Sequence, residues 1–239
     1  MNDAFAVLQS MAVPIVWLAI SVIAYIFSLT IFRSLGSRAI FHPLLLCVGL
    51  VLLILLLFDV PIQVYQQHVV ILDWLLGPAT VALAVPLYKQ LSNLRTHGLS
   101  TLFPIMVGGL IAPITAVLVL FLGDFELGIK LTMLSKSITT PLAMDTSEMI
   151  GGYPSLAAII VIFTGVIGAA CGPALFRLFS IKSDEAKGLA LGTIAHAVGT
   201  AQAFHISEKA GAYSTLALCI NGVITAIILP ILFFLFQLI

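Results

Sequence analysis

The sequence predicts an all-α, polytopic membrane protein, on three observations. The chain of 239 residues is 61% hydrophobic and only 8% charged, with a mean hydropathy of +1.21, whereas soluble domains devote about a quarter of their residues to charge. Apolar runs at 12–32, 42–58, 100–122, 155–179 and 212–236 approach or exceed the roughly 20 helical residues that cross a hydrocarbon core. Three further stretches, 70–91, 128–150 and 186–204, are nearly as apolar but carry Gly, Pro, Ser and Thr where a plain span carries Leu. Together they predict seven or eight membrane segments, some broken or re-entrant, in a single transmembrane domain over 1–239. Unpaired backbone groups are tolerated at membrane depth only when buried in protein or lining a wet cavity. The irregular stretches are therefore where function is expected.

The N-terminus, MNDAFAVLQSMAVPIVWLAI, lacks the basic n-region and small-residue cleavage site of a signal peptide, so 12–32 reads as a retained first span. Lys and Arg accumulate in cytoplasmic connections. Arg33 and Arg38 flank one connection and Lys89 and Arg95 another, while Asp59, Asp124 and Glu126 mark basic-poor connections. The N-terminus is thus expected outside, with the first four crossings in alternation. Arg177, Lys182 and Lys187 fall inside only if 128–150 dips in and returns, which favours a re-entrant segment there.

In LLGPATVALAVPLYKQL, 75–91, Gly77 and Pro78 sit near one end and Pro86 predicts a kink, because an internal proline removes a helix hydrogen bond and clashes with the preceding turn. The bland reading is a tolerated kink in a packed bundle. Tyr88 and Lys89 suit an interfacial anchor.

In SKSITTPLAMDTSEMIGG, 135–152, Lys136 lies among Ser135, Ser137, Thr139 and Thr140. A charge at bilayer centre costs roughly 2.5–3.5 kcal/mol on insertion scales, so such a residue has a partner or a task. Pro141 disfavours helix at Thr140, and a break is expected at Thr139 to Pro141. The freed amides of a half-helix start, with Lys136, suit one carboxylate. Two structural readings stand beside this: Lys136 snorkels to an interface, or pairs with Asp145 or Glu148.

In GLALGTIAHAVGTAQAF, 188–204, Gly192, Thr193, His196, Gly199 and Thr200 recur at spacings of three and four, which on an unbroken helix puts Thr193, His196 and Thr200 on one face. His196 is either a satisfied core residue or a substrate or proton-relay group, its pKa lying near neutrality. The last span adds Asn221 and Gly222; an Asn there either bridges helices or meets a ligand. Sliding the chain by 114 positions lays Ser100, Thr101 and Leu102 on Ser214, Thr215 and Leu216, and Gly108 on Gly222. Two readings stand: apolar sequences that match by coincidence of composition, or repeats 12–122 and 126–236, the duplicated plan of secondary transporters.

The ten basic and ten acidic residues cancel, so no overall field points to nucleic acid or to an acidic partner. Cys47, Cys171 and Cys219 are isolated in apolar runs and read as packing residues, without metal spacing. With no phosphate loop, zinc spacing or nucleophile elbow, neither an enzyme nor a cofactor is expected.

Taken together, LLGPATVALAVPLYKQL, KSITTPLAM, GGYPSLAAIIVIFTGVIGA, KGLALGTIAHAVGTAQAF and EKAGAYSTLAL resemble the LrgB/CidB family of bacterial membrane proteins, from about residue 35 onward. The resemblance implies a multi-pass protein of the bacterial inner membrane. It also implies one of two roles: a holin-like or antiholin-like modulator of murein hydrolase activity and autolysis beside a small LrgA/CidA-type partner, or, as in the plastid glycolate/glycerate translocator, a carrier of short organic acids. Chemistry favours the carrier, a homodimer moving glycolate-, glycerate- or pyruvate-like acids with ion coupling. Its expected substrate site is Lys136, Ser137, Thr139, Thr140 and Pro141 with Thr193, His196, Gly199 and Thr200, and Asp145 and Asn221 as accessories.

Overall fold

The computed structural model describes residues 2–36, 41–82 and 84–237, which are helical with no strand among them. Arg38 of the first basic connection lies outside the described residues, and so do the side chains of Pro86, Lys89 and Arg95. The chain forms two compact units, 1–78 and 79–239.

In the first unit, α1 (Asn2–Ser34) contains a membrane-length stretch, Val13–Ser34. The expected span at 42–58 is instead α2 (Pro43–Leu57), fifteen residues long, joined to α3 (Ile62–His68) with a bend of 117°. The pair reaches membrane length only together. The bend has a local cause. Asp59 takes φ 52, a left-handed conformation that Asp tolerates, and Pro61 then caps α3 where its missing N–H costs nothing. Ala24, Val51 and Leu55 form the core of this unit, with the Ser21 and Tyr65 hydroxyls 2.8 Å apart beside it. Helix α4 (Val70–Ala82) runs through Gly77 and Pro78 without interruption.

In the second unit, α5 (Ala84–Leu120) contains the span Gly98–Leu120 and carries Pro104 and Pro113 within it. The chain then folds into a hairpin. Its first leg is α6 (Leu127–Thr132) with a 3₁₀ turn, Met133–Ser135, and its second leg is α7 (Thr140–Met149). The legs are antiparallel: the Tyr153 N–H donates to Thr132 Oγ1 at 2.8 Å, the Tyr153 hydroxyl to Glu126 at 2.8 Å, and the Ser135 and Ser147 hydroxyls meet at 2.9 Å. Residue 153 thus returns to where 126 began. Helix α8 (Pro154–Leu178) leaves from there as a full span.

A second hairpin follows. Helix α9 (Asp184–Ile206) is broken at His196, with φ 40 and ψ −127, so 184–195 and 197–206 are separate legs. The Ser207 hydroxyl donates to Asp184 at 2.8 Å, and Lys209 pairs with Glu185, so this hairpin too ends beside its beginning. Helix α10 (Glu208–Gln237) then contains the last membrane-length stretch, Glu208–Leu235. Its contact with the first leg is backbone-close: a Cβ on Gly188 or Gly192 would lie 2.2 Å from Ala210 O or 2.1 Å from Ser214 O. Small residues four apart allow this approach between helices in lipid. Since α8 runs opposite to α10, the two hairpins start from opposite ends of the unit, and Arg177, Lys182 and Lys187 share the end from which the second starts.

Candidate functional site

The tips of the two hairpins meet on α10. At the first tip, Ser137 and Ile138 are buried and Lys136 partly so. The break includes Thr139, the first residue of the expected Thr139 to Pro141: Thr140 and Pro141 form the first turn of α7, and Thr139 is its N-cap with extended backbone, φ −68 and ψ 150. Pro141 is tolerated because first-turn N–H groups have no intrahelical acceptor. Thr139 does not cap with its side chain. Its hydroxyl, on a residue only 6% exposed, has no hydrogen-bond partner among the described residues. An orphan buried hydroxyl costs about 1–3 kcal/mol. Lys136 Nζ donates to Ser137 Oγ at 3.3 Å, and among the described residues no carboxylate lies within ion-pair distance of it. Asp145 and Glu148 are on the exposed side of α7, so of the two structural readings of Lys136 the pairing with Asp145 or Glu148 does not form.

At the second tip the expected single face of Thr193, His196 and Thr200 is split, because the spacing rule presumes an unbroken helix and His196 breaks it. The three side chains turn to three different helices. Thr193 Cγ2 faces Gly108 of α5, where a Cβ would lie 3.3 Å from it. His196 Nε2 donates to Val161 O of α8 at 2.8 Å, with its ring against Gly165, where a Cβ would come within 2.6 Å. Thr200 Oγ1 donates to His196 O at 2.8 Å and lies 2.9 Å from Ser214 Oγ of α10. Gly199 is needed for the return of the leg, since a Cβ there would lie 2.4 Å from Leu191 O.

Asn221, 3% exposed, joins the tips. Its amide nitrogen donates to Ser137 O at 3.0 Å and to Thr193 O at 3.1 Å, and its Oδ1 abuts Gly109 of α5. One side chain therefore holds the last carbonyls of two broken helices. At 1.5 Å per residue Asn221 lies about 20 Å into α10, close to the middle of a bilayer. Gly109 and Val161 were not singled out from sequence, and Gly108 and Ser214 entered only through the 114-position match; the Gly108–Gly109 pair halfway along an apolar span was the available signal. Around this crossing two helix starts present amides and two helix ends present carbonyls. Carriers with discontinuous helices use the starts for anionic groups and the ends for cations or protons. Among the described residues no cluster of three His, Cys, Asp or Glu groups suits a metal.

Comparison with known proteins places this architecture. The sequence profile of the LrgB-like family matches residues 21–235. The chain is similar to the uncharacterized protein YwbG of Bacillus subtilis, 34% identical over 222 residues that cover 93% of this chain and 98% of the relative. It is also similar to antiholin-like protein LrgB of Bacillus cereus and of Bacillus anthracis, each 31% identical over 223 residues, covering 93% of this chain and 97% of the relative. No solved structure matches. With its several apolar helices of membrane length, the chain is a multi-pass membrane protein, and it belongs to the LrgB-like family.

Proposed function

We propose that the chain is an antiholin-like membrane protein, a modulator of murein hydrolase activity and autolysis, and that its molecular act is to move a short organic carboxylate through the crossing of the two hairpins. The relatives named antiholin-like favour the first half of this reading. One observation carries the second: Thr139, the N-cap of α7, is buried with its hydroxyl unsatisfied, and three residues before it the part-buried Lys136 ammonium donates to Ser137 without a carboxylate partner among the described residues. A carboxylate accepts hydrogen bonds from such donors and suits the positive end of the helix. A protein that acts only by lining a lesion needs an apolar or amphipathic self-associating surface, and an orphan hydroxyl and a nearby cation at membrane depth add cost to that task.

In this reading the chain has eight membrane segments, counting α2 with α3 as one and each hairpin as one. The units 126–178 and 184–237, each a hairpin followed by a span, are inverted halves around Asn221, a finer duplication than 12–122 against 126–236. A homodimer, ion coupling and a small LrgA/CidA-type partner belong to the reading as well. Purified protein in liposomes tests it. Saturable uptake of labelled glycolate or pyruvate, lost in Lys136→Ala and weakened in Thr139→Val, supports carriage. Graded leakage of unrelated dyes, or uptake unchanged in Lys136→Ala, refutes it and leaves the modulator role to some other act.

A further inference from the structure

A cavity of about 550 Å³ lies between α5, the first leg of α9 and α10. At one end Ser183 and Glu185 line it, beside the connection that carries Arg177 and Lys182; at the other it reaches Thr193, about 12 Å further along the leg. The Thr193 carbonyl is one of the two that Asn221 holds. Beyond Asn221 the adjoining space is different in kind: a cavity of about 310 Å³ walled by Ile105, Leu134, Ile150 and Ile228, into which no hydrated anion moves cheaply.

We infer that the cavity ending at Thr193 is the water-filled route by which a short organic anion reaches the crossing from the side of the basic connections, and that Lys209 keeps its mouth open to anions by neutralising Glu185. This rests on the carriage reading above. Glu185 is the acid on the cavity wall, and it is paired with Lys209 of α10 and accepts the Ser183 hydroxyl. Unpaired, its charge would face an arriving carboxylate at close range; paired, it presents no net charge there. Asp184 nearby is likewise paired, with Lys187 at 3.1 Å. A like charge at the mouth of a cleft lowers the local concentration of an arriving ion, an effect that salt screens.

Two measurements test it on the full-length protein. In a background with Cys47, Cys171 and Cys219 replaced, Ala190→Cys on the cavity wall and Ile167→Cys on the exposed face of α8 are treated with a charged, membrane-impermeant thiol reagent in vesicles of either orientation. Ala190→Cys is expected to react only from the side of Arg177 and Lys182, at least ten times faster than Ile167→Cys. Equal rates, or reaction from the other side, overturn the route, and do so whether or not the protein carries acids. For the mouth, Lys209→Gln is expected to raise the KM for glycolate or pyruvate uptake several-fold at low salt, less at 0.5 M salt, with Glu185→Gln/Lys209→Gln restoring it. A KM unchanged in Lys209→Gln, or not restored in the double variant, overturns the neutralising role. A reactive Ala190→Cys with no saturable uptake by the parent protein instead overturns carriage, and with it the anion's use of the route. Size-exclusion profiles identify variants that fail to fold.

Discussion

Removing the Asn221 amide is the sharpest perturbation the structure offers, because one nitrogen serves two elements at once. Its two donated bonds, 3.0 and 3.1 Å long, go to the Ser137 and Thr193 carbonyls, one beside each chain break. Interhelical hydrogen bonds in membranes average about 0.6 kcal/mol, with a maximum near 1.7. Two of them, lost in Asn221→Ala, are worth about 1–3 kcal/mol. For a chain of this size that is a fall in melting temperature of about 3–10 °C. Asn221→Asp is expected to do worse than Asn221→Ala despite its near-identical shape, since it turns an acceptor oxygen toward two other oxygens. The assay is thermal unfolding in detergent, followed by the loss of the monodisperse size-exclusion peak, alongside uptake in liposomes. Parental stability in Asn221→Ala, or Asn221→Asp more stable than Asn221→Ala, refutes the bridge.

Further outcomes follow from neighbouring features. Gly109→Ala places a methyl group where a Cβ lies 2.2 Å from Asn221 Oδ1, whereas Gly98 has nothing within 4 Å; melting should fall for the first alanine and stay level for the second. His196→Gly should be about 1 kcal/mol more stable than His196→Ala by the same unfolding assay, because φ 40 penalises any Cβ, reversing the order found in ordinary helix interiors. Lys209 first and Ser183 second hold the Glu185 carboxyl down from 4.5 to about 2. A carboxyl depressed in the folded state lends stability above its unfolded pKa and loses it as pH falls through the folded one. Stability should therefore drop between about pH 4.5 and 2, and Glu185→Gln should flatten that limb of a pH-dependent melting series.

Hydropathy made the long spans legible, because a helix facing lipid must be apolar along its length, and the membrane-length stretches Val13–Ser34, Gly98–Leu120, Pro154–Leu178 and Glu208–Leu235 fall close to the expected bounds. The first hairpin was legible too. Pro141, the crowd of hydroxyls and the basic residues at 177–187 all argue against a plain crossing at 128–150. The second hairpin was harder: no proline marks it, and LALGTIAHAVGTAQAF has helix-compatible composition throughout. Its break comes from tertiary structure, from the gap at Gly165 and the Val161 carbonyl that receives the His196 ring. For the same reason the Thr193, His196 and Thr200 stripe dissolved into three separate contacts. Asn221 was read correctly as a bridging type of residue, but a single amide in an apolar helix does not name its acceptors. Cys171, read as packing, is exposed, a reminder that in lipid an apolar run is as often outside the bundle as inside.

The inverted hairpins also set an order of assembly. During synthesis the first hairpin, 126–153, emerges before α8, and well before Asn221 of α10 supplies the donor for Ser137 O. Exposed to hydrocarbon at that moment, its uncapped carbonyls and amides would each cost several kcal/mol. The hairpin must therefore wait in an aqueous or protein-sheltered place until the last helix is made. Chains truncated before residue 221 should leave it accessible to protease on the side from which it starts, with the thirty residues of α10 acting as the closing wedge for a segment whose Ser137 is made 84 residues before Asn221.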